Sequence, residues 1–106
     1  MLSKVQHLGN KVTEISNQFS EGDFCDFRVA TEKIIEAYRL EIQICKEEDL
    51  DETFWQEETQ KAESALKIYN DCCRLAELQA VERLSEAGLE EYAEALESGN
   101  YEGFAF

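Results

Sequence analysis

Apolar residues recur along this chain in steps of three and four, which is the period of an α-helix and not the alternation of a strand. Leu2, Val5, Leu8, Val12, Ile15 and Phe19 make one narrow stripe and predict a first helix over residues 3–18. Gly9-Asn10 falls inside that stripe, and glycine's backbone freedom predicts a weakened or kinked point there. "SEGD" then supplies a stop at Gly22 and a new cap at Asp23 or Asp26. A second helix follows over 24–46. Phe27, Thr31, Ile34, Tyr38, Ile42 and Cys45 form its main stripe, and Ile35, Leu40 and Ile44 widen the apolar arc, as suits a helix covered on two sides.

The third helix is predicted to start near Asp51, where Asp51, Glu52, Glu57 and Glu58 favour the positive end of the helix dipole and Phe54 and Trp55 offer aromatic anchors. Its stripe passes through Ala62, Leu66, Tyr69, Cys73, Ala76, Ala80, Leu84 and Ala87. Run without interruption from Asp51 to Ala87, this helix would be about 55 Å long at about 1.5 Å per residue. The first two helices are too short to cover it. Either it breaks near Asn70-Asp71, or its stripe is covered from outside, and a second copy of the chain is the cheapest cover. A homodimer built on Leu66, Tyr69, Cys73, Ala76, Ala80 and Leu84 follows as one expectation. Gly88 ends or bends the helix. "LEEYAEALESGN" then reads as a short fourth helix with Leu89, Tyr92, Ala93 and Leu96 on one face and a stop at Ser98-Gly99-Asn100. The predicted fold is all-α: an elongated antiparallel bundle of three long helices, a short C-terminal helix and an aromatic tail. Residues 1–99 form one helical domain and 100–106 the tail.

Composition agrees with helices. The 106 residues contain no proline and 5 glycines. Charge adds more. The net charge is −14, from 24 acidic and 10 basic residues. Residues 1–46 hold six bases and seven acids; nearly all the excess negative charge therefore lies in the remainder. After Arg83 no base follows, while six carboxylate side chains do. Such a chain has no basic stripe with which to displace counterions from nucleic acid, so direct nucleic-acid binding is not expected, and an anionic membrane would repel it. No run is apolar enough for a membrane span or a leader, and Cys25, Cys45, Cys72 and Cys73 show no CxxC spacing. These features predict a cytoplasmic protein with reduced cysteines acting as small buried hydrophobes.

Candidate chemistry is sparse. His7 is the one histidine, too little for a nucleophile–base–orienter constellation or for a Glu-x-x-His di-metal bundle. No phosphate-cradling glycine loop or calcium loop is present. Neither an enzyme nor a cofactor nor a metal site is expected. The remaining signal is the acidic row Glu86, Glu90, Glu94 and Glu97, spaced to share a helical face, with Glu91 beside it and no Lys or Arg among them. Tyr101, Phe104 and Phe106 place three aromatics at the chain end, able either to fold back onto the bundle or to enter a partner's pocket. In size and charge the chain resembles the small acidic helical inhibitors encoded by phages and mobile elements. The expected function is that of a non-enzymatic protein-binding module. Its acidic face, Glu86, Glu90, Glu91, Glu94 and Glu97 with Tyr101, Phe104 and Phe106 as anchors, would occupy a basic surface on a partner such as a nucleic-acid-binding protein, as an inhibitor, an immunity or antitoxin-like factor or a nucleic-acid mimic. The alternative is a structural or chaperone-like dimer working through the apolar stripe of the third helix.

Overall fold

The structure is a computed structural model that describes residues 2–22, 24, 26–72, 76–99 and 101. Five helices run through these residues, and no strand occurs among them: α1 (Lys4–Ser20), α2 (Phe27–Glu47), α3 (Thr53–Cys72), α4 (Glu77–Glu86) and α5 (Glu90–Ser98). Each start and stop has a local cause. Ser3 opens α1 with a capping box: the Gln6 N–H donates to Ser3 Oγ at 3.1 Å, and the Ser3 N–H donates back to Gln6 Oε1 at 2.9 Å. Gly22 closes α1 with a φ of 71°, a conformation glycine adopts without strain. Of the two candidate caps, Asp26 holds the start of α2, its Oδ1 accepting from the Arg28 N–H at 2.8 Å, while Asp23 lies outside the described residues.

α2 ends in a Schellman turn. Asp49 takes a φ of 56° and the Leu50 N–H reaches back to the Cys45 carbonyl at 2.8 Å. The same device closes α4, with Gly88 at 78° and the Leu89 N–H on the Leu84 carbonyl at 2.8 Å.

Ion pairs and ring contacts fix the directions of the first three helices. Lys4 Nζ lies 2.8 Å from Glu47 Oε1, so the start of α1 meets the end of α2. Phe27, at the start of α2, packs on Tyr69 near the end of α3 with ring centroids 5.1 Å apart, and Tyr38 packs on Trp55 at 5.5 Å. α1, α2 and α3 are therefore antiparallel neighbours. α4 packs against α3 and α5 against α4, and Tyr92 of α5 presents an edge to Phe27 of α2 at 6.4 Å. One continuous core joins all five helices. Ala30, Ala37, Ala62 and Ala80 are fully buried and let the backbones approach closely, while the buried Thr31 hydroxyl is satisfied by the Phe27 carbonyl at 2.7 Å.

The structure bears on two expectations: α1 is continuous at Gly9, and of the two readings of the third stripe it has the break. α1 runs unbroken through Gly9, because its stripe of Leu8, Val12, Ile15 and Phe19 is buried on both sides of that residue and packing outweighs a small loss of propensity. The third predicted helix is two helices. α3 stops at Cys72 and α4 starts at Glu77, preceded by Ala76 with a non-helical φ of −113° and ψ of 44°. The break falls a few residues beyond Asn70-Asp71, which are still helical; Cys73 lies outside the described residues. Folding back lets one chain bury the stripe itself: Tyr69, Ala80 and Leu84 are buried against the chain's own helices. An unbroken helix of about 55 Å would overrun the molecule, whose longest dimension is 48 Å. The length mismatch that called for a second copy is therefore absent, and within the stripe Leu66 and Ala76 are half-buried.

Candidate interaction surface

The acidic row is carried by α4 and α5, and α5 is held by its apolar side. Tyr92, Ala93, Ala95 and Leu96 are buried, leaving Glu90, Glu91, Glu94 and Glu97 to the solvent side of a nine-residue helix. Tyr92 is the main pin. Its hydroxyl shares a hydrogen bond with the Tyr38 hydroxyl between α5 and α2. Burial, then the nearby Glu58 and Glu91 carboxylates, push Tyr38 up to about 12, and burial raises Tyr92 as well. Both rings therefore stay neutral and bonded at any ordinary pH.

The row differs from its sequence reading in two ways. Glu86 is the last residue of α4, and the Gly88 turn separates it from Glu90, Glu94 and Glu97 on α5, so the four do not share one helical face. Gly88 was the signal, since a left-handed glycine redirects every side chain beyond it. Glu91 turns toward α3. Partial burial raises its carboxyl, Glu58 adds to the rise, and Lys61 on α3 offsets it, so Glu91 does have a basic neighbour. Glu86, Glu90, Glu94 and Glu97 are exposed, and among the described residues none of them is in a salt bridge.

The reason lies in where the bases go. The ion pairs join Lys4, Arg28, Lys33, Arg39, Lys46 and Lys61 to carboxylates of α2, α3 and the loop between them. Arg83, last base in the chain, is exposed but donates from Nη1 to the buried Cys72 Sγ at 3.3 Å. Local spacing carries no hint of that contact, which pairs residues on different helices. Tyr101 packs on Phe27 at a centroid distance of 6.4 Å; Phe104 and Phe106, the other two residues of the tail readings, lie outside the described residues.

Elsewhere, an open groove of about 530 Å³ runs between α2 and α3. Ile35 and Leu66 line it, and Arg39 Nη2 bonds Glu63 Oε1 at 2.9 Å. Lys67, Asn70, Glu32 and Asp71 complete it, so both signs of charge are present and no ligand chemistry is selected. His7 is exposed on α1. Among the described residues no group of three His, Cys, Asp or Glu side chains is placed to hold a metal, and no helix is long and apolar enough to cross a membrane. Cys45 and Cys72 are buried free thiols, as small-hydrophobe cysteines should be; Cys25 and Cys73 lie outside the described residues. Compared with protein-family models, with curated proteins and with solved structures, the chain matches none.

Proposed function

We propose that this protein is a non-enzymatic binding module whose α4–α5 surface occupies a basic surface on a partner protein, in the manner of an inhibitor, an immunity factor or a nucleic-acid mimic. The observation that carries this reading is the exposed set Glu86, Glu90, Glu94 and Glu97, none of which is in a salt bridge among the described residues. Like charges at one-turn spacing repel by a few tenths of a kcal/mol per pair, roughly. A cationic partner surface would relieve that repulsion and would be steered to it at long range. A partner that normally grips nucleic acid fits best, because spaced carboxylates can stand where phosphates would.

The test is affinity capture from the source cell with the protein and its Glu90→Lys/Glu94→Lys/Glu97→Lys variant, followed by elution across a salt gradient. A basic partner should be held by the unaltered protein, leave at moderate salt, and be lost by the variant at matched folding. Equal capture by both proteins at low salt would retire the reading.

A further inference from the structure

At the end of the bundle where α1 begins, α2 ends and α3 begins, three large apolar side chains are left uncovered. Leu2, Leu50 and Phe54 are 47%, 57% and 59% exposed. The Lys4–Glu47 ion pair brings the start of α1 to this end, and the Leu50 N–H bonded to the Cys45 carbonyl folds the α2–α3 loop over it. Phe54 stands edge-on to Trp55 with centroids 5.0 Å apart, and Trp55 packs in turn on Tyr38. Phe54 is thus a projecting ring on a rigid aromatic base. Exposed apolar groups with a polar rim mark interaction sites, and aromatics at their centres supply much of the binding energy.

The rim here is net negative. Glu48, Asp49 and Asp51 are exposed and, among the described residues, in no salt bridge, while the two local lysines each face a carboxylate: Lys4 lies 2.8 Å from Glu47, and Lys46 3.9 Å from Glu52. The buried Cys45 thiol registers the result. It is raised by burial and then by Glu41, Glu52, Asp51 and Glu48 together.

We propose that this end is a docking seat for a cationic amphipathic helix of another protein, whose apolar side chains cover Leu50 and Phe54 while its Lys or Arg residues meet Glu48, Asp49 and Asp51. Charge selects that occupant. A second copy of this chain would set the same carboxylates against each other, and an anionic membrane would be repelled; a cationic helix satisfies the apolar centre and the rim at once. The seat is separate from the α4–α5 surface, and either can fail without the other.

Trp55 is the chain's single tryptophan and sits beside Phe54, so its fluorescence reports on the seat. The probe is a labelled synthetic peptide with leucines and lysines at amphipathic helical spacing, compared with a peptide of identical composition and scrambled spacing. Both are titrated into the full chain, read by Trp55 emission and by peptide anisotropy. The helical peptide should bind saturably with a blue shift. Binding should weaken at least about tenfold in Leu50→Ser/Phe54→Ser, the loss typical of an aromatic anchor, with an unchanged melting temperature because both side chains are largely exposed. It should persist in Glu90→Lys/Glu94→Lys/Glu97→Lys. Should the serine variant melt early, Glu48→Gln/Asp49→Asn removes two exposed rim charges while Asn keeps the left-handed turn at 49, and it should also weaken the peptide. Equal binding of the two peptides, or undiminished binding in the seat variants, overturns the proposal. So does a concentration-dependent dimer that Leu50→Ser/Phe54→Ser abolishes, since that assigns the seat to a second copy.

Discussion

The Tyr38–Tyr92 pair shows how a polar bond specifies a helix position inside an apolar core. Tyr92→Phe removes one hydroxyl and leaves the Tyr38 hydroxyl buried without that partner, at a cost of about 1–3 kcal/mol; removing both hydroxyls should cost less than the single change predicts, because no orphan remains. Urea melts of the two single variants and the double variant measure this. The pair also sets an alkaline limit. The Tyr38 hydroxyl is raised from 10.0 to about 12, so the stability it contributes is complete below pH 10.0 and is lost as pH rises toward about 12. Tyrosinate absorbance, followed together with helical circular dichroism, should show Tyr38 and Tyr92 ionising late and with unfolding. Early ionisation of all four tyrosines in a still-helical protein would place these two hydroxyls in water.

Among the elements, two glycines act in opposite senses. Gly9 lies inside α1, and a Cβ built there meets nothing within 4 Å. Gly9→Ala should stabilise by about 0.5–1 kcal/mol, since helix propensity rises and nothing clashes. Gly88 has equal space but a φ of 78°, which a side chain adopts only with strain. Gly88→Ala should destabilise by about 1–2 kcal/mol and loosen the α4–α5 corner that separates Glu86 from the rest of the acidic row. Thermal melts of the two variants should therefore move in opposite directions, and a fall for Gly9→Ala would mean that α1 bends there after all. The asymmetry is invisible in composition, because both residues are simply glycine in a helical context. A stop signal reads clearly only where the apolar stripe also changes direction, as it does at Gly22, Gly88 and Gly99.

For the molecule as a whole, surplus negative charge opposes compactness, so added salt should raise the melting temperature. The acid side has a definite sign. Glu41 and Glu91 are raised by burial, so the folded chain holds their protons more tightly; moderate acidification from neutral pH should stabilise, and that gain disappears as pH climbs through their raised values. Asp51 works the other way. Hydrogen bonds from Thr53 lower it, and its contribution is lost as pH falls below the usual carboxylate range. Melting curves from neutral to mildly acidic pH should rise before they fall; a monotonic fall would mean that Glu41 and Glu91 are fully hydrated.

The helical period, a cap at Asp23 or Asp26, the glycine stops at Gly22, Gly88 and Gly99 and the buried face of α5 were all legible in the sequence, because each depends on residues within a few positions of one another. So was the acidic character of the chain's second part. Where the long stripe would fold back, and so whether the chain buries it unaided, was settled by tertiary packing. So were the approach of Glu91 to its α3 neighbours and the contact of Arg83 with Cys72. These depend on residues far apart in the chain meeting across the core, and local spacing carries no record of such meetings. The same holds for the bundle end. Leu2 reads as part of the first stripe and Phe54 as an anchor, and only the way α1, α2 and α3 meet leaves both, with Leu50, facing water.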